Sequence, residues 1–216
     1  GIAWLHVALD DGARSDSRGT TSHGSLVNGH PVPPWGPGFV TYSFLGAALG
    51  RQYVHGAVRD VLVAALAEAA SANPGTSFVV AETGWPTGGS FPPHHTHENG
   101  TSVDVLVPVR DAATGELRVL STSPFVLFGY GHELDRQGRL GALELDAPAL
   151  AAFLCALDAL GAEGARPTRL ILAPELQAPV EEAMPRRCRD HLERRWMRGP
   201  ACVRHDVHIH VDFDVS

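Results

Sequence analysis

Two periods run through the hydrophobic and polar positions of this chain. Over residues 57–72 the apolar side chains of Val58, Val61, Leu62, Ala65, Leu66 and Ala69 recur at helical spacing, and Asn73-Pro74-Gly75 closes the run. Residues 147–160 repeat that period and end near Gly161, while 175–196 reads as one helix, or two broken at Pro185. The second period is two. Residues 207–215 alternate almost perfectly, and 101–109 place Val103, Val105, Val107 and Val109 on one side, so both predict strands. Shorter strands are expected over 78–81, 117–120 and 168–173, with a turn at 111–116. Residues 10–50, rich in Gly, Pro, Ser and Thr, read as a long irregular surface segment that wraps the domain or walls a cleft, and 82–96 as a loop. There is no internal repeat and no linker. The order predicts one α+β domain over 1–216, with 1–50 mostly irregular and a largely antiparallel central sheet flanked by helices.

Length and composition narrow this picture without redrawing it. A chain of 216 residues, 44% hydrophobic and 19% charged, can bury one good core and is not a disordered polymer. A formal charge of −7 argues against a nucleic-acid groove, which needs clustered cations to neutralise phosphates. The basic run at 186–198 is interrupted by Asp190 and Glu193, as on a solvated helical face. The longest apolar stretch, 58–70, carries Arg59, Asp60 and Glu68 and is too short for a membrane span. Residues 1–6 lack the basic head, apolar run and cleavage site of a signal peptide. Cys155, Cys188 and Cys202 make no disulfide framework: either Cys188 and Cys202 pair in an oxidising compartment, or all three are free thiols. None lies in a CxxC pair, which disfavours thiolate ligation of a metal.

Histidine is the residue that changes the picture. Six of the 12 histidines fall in two windows, 94–97 and 205–210: His94, His95, His97, His205, His208 and His210. Such clustering points to metal binding or acid–base chemistry. On the terminal strand His208, His210 and Asp212 share the face opposite Val207, Ile209, Val211 and Phe213, and residues two apart lie roughly 6–7 Å from each other. That separation suits one imidazole on a metal and another on the metal's water. Strict alternation puts His205 on the other face unless the chain bends before the strand. Gly100 permits a sharp turn that brings His97 and Asp104 to the same point, and a carboxylate among Val103, Val105 and Leu106 is costly unless it is paired. Two imidazoles and a carboxylate leave a fourth position open, as in a catalytic zinc site. Imidazole ligands argue against Mg²⁺ or Ca²⁺, while Fe, Cu and Ni stay open. Glu82, Asp206, Asp212 and Asp214 read as solvated or supporting carboxylates, and Trp35 and Trp85 as packing residues. His6, His23, His30, His55, His132 and His191 read as structural.

The pattern HxxHxxGxxxD (His94, His97, Gly100, Asp104), followed by HxxHxH (His205, His208, His210), resembles the penicillin-insensitive murein endopeptidases. These share the lysostaphin, D-Ala-D-Ala carboxypeptidase and Sonic hedgehog metallopeptidase fold. Gly24-Ser-Leu-Val-Asn-Gly29, Gly84-Trp-Pro-Thr-Gly-Gly-Ser-Phe91 and Thr168-Arg-Leu-Ile-Leu-Ala-Pro174 are similar to further segments of that family. The resemblance implies Zn²⁺ on His97, Asp104 and His210, with His208 as base to the attacking water. It also implies that His94 and His205 line the site, the doublet His94-His95 leaving open which of the two faces it. The implied reaction is hydrolysis of a peptide cross-link in bacterial peptidoglycan, D-Ala to diaminopimelate, insensitive to β-lactams and located in the periplasm or outside the cell. The alternatives are a D,D-carboxypeptidase-type zinc peptidase and a non-catalytic zinc- or murein-binding module of the same fold.

Overall fold

The computed structural model describes residues 2–199 and 204–216, and within them the chain is mixed α+β with largely antiparallel sheets. The central sheet has six strands in the spatial order Arg166–Ile171, His208–Asp214, Ser102–Leu106, Phe78–Val80, Phe39–Thr41 and Trp35–Gly36. Every neighbouring pair is antiparallel except Phe39–Thr41 with Phe78–Val80. The long helices Gly56–Ala72 and Ala147–Leu160 join it in one core. Phe78 of the sheet meets Phe153 of the second helix with ring centroids 5.4 Å apart.

Local chemistry explains where the helices begin. His55 Nδ1 accepts the amide of Ala57, and Asp146 Oδ1 accepts that of Ala149, each satisfying a donor that the first helical turn leaves without a partner. The apolar stripe expected on 57–72 is the face that becomes buried, from Val58 to Ala69. Pro185 divides the next helical region into Pro174–Ala183 and Arg186–Leu192, because proline offers no amide to continue the ladder. Among the described residues no helix is long and apolar enough to cross a membrane.

Three expectations need correction. Residues 10–50 are not an irregular wrap. They hold the hairpin Asp16–Thr20/His23–Val27, two strands of the central sheet and the helix Phe44–Ala48, and the helix Ile2–Ala8 precedes them. Gly and Pro mark tight turns between short elements as readily as they mark loops, and strands of two or three residues leave no periodic signature. The strand expected over 101–109 is two, Ser102–Leu106 and Val109–Asp111, which pair in different sheets. Pro108 lies between them and has no amide for a ladder. Finally, Cys188 bonds to Cys155, with Cα atoms 5.6 Å apart, and not to Cys202, which lies outside the described residues. Helix packing brings the 155 and 188 positions together across 33 residues of sequence, a contact that spacing could not reveal.

Candidate metal centre

Strand register builds half of the site. In the antiparallel pairing of His208–Asp214 with Ser102–Leu106, His210 lies opposite Asp104 and Asp212 opposite Ser102. Directly opposed side chains are within contact distance, and these make contact. His210 Nδ1 lies 2.8 Å from Asp104 Oδ1, and Ser102 Oγ donates to Asp212 Oδ1 at 2.6 Å. Asp212 Oδ1 also receives His210 Nε2 at 2.9 Å, and Arg169 on the next strand donates to Asp212 Oδ2. Asp212 is therefore a buried support that orients an imidazole, the role expected of a carboxylate behind a metal-ligating histidine.

The other half comes from the loop that ends at Gly100. His97 adopts φ +74°, a left-handed conformation that is uncommon for a residue with a side chain. Its carbonyl lies against Gly84, where an added Cβ would come within 2.8 Å of it, and a Cβ added at Gly100 (φ +74°) would come within 2.6 Å of Leu26 and 3.0 Å of the His55 amide nitrogen. The 23–27 strand braces this loop: Leu26 N–H donates to Thr87 O, and Gly24 N–H to Glu98 Oε2. Two of the segments carrying the family resemblance, 24–29 and 84–91, thus pack against the loop that bears His97. Strain of this kind persists where surrounding structure enforces it, and it concentrates at functional sites.

This arrangement leaves His97 fully buried with Nδ1 facing two carbonyl oxygens, Thr83 O at 3.1 Å and Ser102 O at 3.3 Å. Both are acceptors, so Nδ1 is the donor to them and Nε2 is the nitrogen turned towards Asp104. Nε2 has no hydrogen-bond partner and lies 3.5 Å from Asp104 Oδ1. Ligand atoms of His94, His97 and Asp104 lie within 4.8 Å of one another, a grouping that can hold a metal ion. The expected ligand His210 is not part of that grouping, in which His94 stands instead, but its Nδ1 contacts Asp104 Oδ1 at 2.8 Å. The donor set fits a cation: an orphaned imidazole nitrogen, a buried carboxylate, and a second imidazole whose far side is already tied to a carboxylate.

The remaining predicted residues fall around this point. His94 Nδ1 is 3.9 Å from Asp104 Oδ2, and His208 Nε2 is 3.8 Å from the same oxygen. His95 is exposed, so His94 is the member of the doublet that faces the cluster. His205 precedes the strand, and a bend at Asp206-Val207 turns it inward, its ring centroid 4.6 Å from that of His208. The bend that alternation alone could not decide is present.

Electrostatics separate the two histidines of the terminal strand. Burial pulls His210 down, but hydrogen bonds with Asp104 and Asp212 outweigh it and raise its pKa to about 9. Burial lowers His208 to about 3, opposed by Asp104 and reinforced by His205, His210 and His94, so His208 is neutral at physiological pH. Burial raises Asp104, yet the surrounding imidazoles, His97 foremost, hold its carboxyl well below the usual range. Asp212 behaves alike: burial raises it, and His210, Ser102 and Arg169 bring it to about 2.

Sequence reading missed Tyr130. Its hydroxyl donates to Asp104 Oδ2 at 2.8 Å, and its ring lies 4.9 Å from His208 and 5.6 Å from His94. Burial, and then the charges of Asp104 and Glu82, raise its pKa well above the phenolic value. Only the glycines on either side of it hinted at a special backbone. Glu82 is likewise buried, not solvated: it pairs with Arg51, whose guanidinium sits over Phe91 and Trp85 at 4.2 and 4.9 Å from the ring centroids, and accepts from Tyr42. Trp85 is thus a packing residue at the edge of the site, while Trp35 packs elsewhere against Trp4 and Phe44. A cavity of about 870 Å³ beside the disulfide shares no residue with the His/Asp cluster. No family model matches this chain, and no curated protein matches it significantly.

Proposed function

We propose that the protein is a zinc peptidase that hydrolyses peptide cross-links of bacterial peptidoglycan at the D-Ala to diaminopimelate amide. The observation that carries this reading is His97 Nε2, a fully buried ring nitrogen with no hydrogen-bond partner, set beside a carboxylate that also meets His210. Leaving such an atom unmet costs about 1–3 kcal/mol, and native proteins leave few. His97, Asp104 and His210 would hold the ion, giving the two-imidazole, one-carboxylate set of catalytic zinc sites. When bound, zinc supplies Lewis acidity that acidifies water and polarises an amide carbonyl.

The chain's own groups supply the rest. His208, 3.8 Å from Asp104 Oδ2, would take a proton from attacking water and return it to the leaving amine, the role that the family resemblance implies for it. His94 and His205 line the site on the side of Asp104 Oδ2 and His208, where they can donate to a developing oxyanion. Support for peptidoglycan as the substrate comes from the family resemblance of the motifs that converge here. The Cys155–Cys188 disulfide supports an oxidising compartment, as a periplasmic or secreted enzyme needs.

The test is mass spectrometry of muropeptide dimers incubated with the protein, with and without a chelator. The expected result is conversion of dimers to monomers, abolished by chelation and restored by zinc. Loss of a single terminal alanine would instead indicate a D,D-carboxypeptidase, and binding without turnover a non-catalytic module.

A further inference from the structure

We infer that Tyr130 is a positioning residue that fixes how Asp104 binds the ion, engaging one carboxylate oxygen so that only the other is offered. The inference rests on the metal centre proposed above, and it concerns a residue that no motif identified. The two oxygens of Asp104 have different surroundings. Oδ1 faces His210 Nδ1 at 2.8 Å and His97 Nε2 at 3.5 Å, the two nitrogens assigned to the ion. Oδ2 accepts the Tyr130 hydroxyl at 2.8 Å, while His94 and His208 stand beyond hydrogen-bond reach of it at 3.9 and 3.8 Å.

A phenol has one proton to give, and its direction here is fixed. The backbone N–H of Glu82 donates to the Tyr130 oxygen at 3.2 Å, which leaves the phenolic proton to point at Asp104. The ring cannot swing away, because it is packed among His208, His94 and Tyr42, at centroid distances of 4.9, 5.6 and 6.5 Å. The backbone leading to it is equally constrained. Leu127 and Phe128 both take left-handed conformations, φ +49° and +56°, and Phe128 packs on Tyr42 with centroids 6.0 Å apart. Two consecutive non-glycine residues in that region are rare, and here they place a hydroxyl against a ligand carboxylate.

The chemical consequence concerns coordination number. A carboxylate with both oxygens free can chelate an ion, which fills the position that a catalytic site keeps for water. With Oδ2 engaged by Tyr130, Asp104 contributes one oxygen, His97 and His210 one nitrogen each, and the fourth position stays open. Outer hydrogen bonds of this kind commonly set metal affinity by about 10–100-fold.

Cobalt(II) in place of zinc tests this, since four-coordinate cobalt absorbs visible light much more strongly than five-coordinate cobalt. The wild-type protein should give the intense four-coordinate spectrum. Tyr130→Phe keeps the ring and removes the hydroxyl. It should weaken the cobalt bands towards five-coordinate intensity, loosen zinc by about 10–100-fold in chelator competition, and lower kcat more than KM changes. An unaltered spectrum and zinc affinity in Tyr130→Phe would overturn the inference. If that variant does not fold, a five- or six-coordinate spectrum in the wild type would overturn it as well. Failure of the wild type to bind zinc or cobalt would remove the metal centre and this inference together. Cobalt binding as expected, with muropeptides left intact, would defeat the proposed activity while the role of Tyr130 stood.

Discussion

The two faces of the terminal strand are equally buried and opposite in chemistry. Ile209, Val211 and Phe213 on one side, and His208, His210 and Asp212 on the other, are all at most 5% exposed. The apolar row joins Val103, Val105 and the two long helices in the core, where burial itself stabilises the fold. The polar row gains nothing from burial and must recover its lost hydration through partners. Most of it does, through Asp104, Ser102 and Arg169. Two buried nitrogens nearby, His97 Nε2 and His208 Nδ1, do not. Burial therefore does not tell the two faces apart; the unmet imidazole nitrogens lie on the polar side.

Substitutions on the two faces should separate cleanly, and the largest effect belongs to the polar one. His97→Ala should lose the ion and all turnover together, measured by metal content after dialysis and by muropeptide digestion. A variant that kept one equivalent of zinc would break the contrast. Next comes His208→Ala, which should keep the ion and lose on the order of 10²–10⁴-fold in kcat, the usual share of a proton-transfer group. Full turnover in that variant would remove His208 from the chemistry.

A third expectation concerns pH. In the metal-free protein His210 is raised to about 9 from about 6.5 in an unfolded chain, so its contribution to stability is complete below about pH 6.5 and is lost as pH rises through about 9. An ion must displace that proton. Metal affinity should therefore rise about tenfold per pH unit below pH 9 and level off above it. Chelator competition across that range measures the slope, and a flat profile would contradict the protonation assigned to His210. The smallest effect belongs to the apolar row. Ile209→Val should cost about 0.5–1.5 kcal/mol in denaturant unfolding and leave metal affinity untouched. A shift in affinity there would mean that the two faces are coupled through the strand.

Some of this was written in the chain itself. The helices over 56–72 and 147–160, their buried stripes, and the alternation of 208–214 follow from local periodicity, because burial of one face needs a regular repeat. The histidine spacing likewise marked which residues to watch. Short strands within 16–41 escaped, since elements so brief show no period, and the Cys155–Cys188 pairing depended on helices meeting across the fold. The role of Tyr130 and the burial of Glu82 were hidden for the same reason: they come from contacts 26 and 31 residues away, with Asp104 and Arg51. Sequence determined which face of each element is apolar and where the imidazoles lie along it. Tertiary structure alone decided that His97 Nε2 has no hydrogen-bond partner, that Asp104 has two unlike oxygens, and that a phenol stands behind one of them. Register and loop closure set those distances, and both depend on the whole chain.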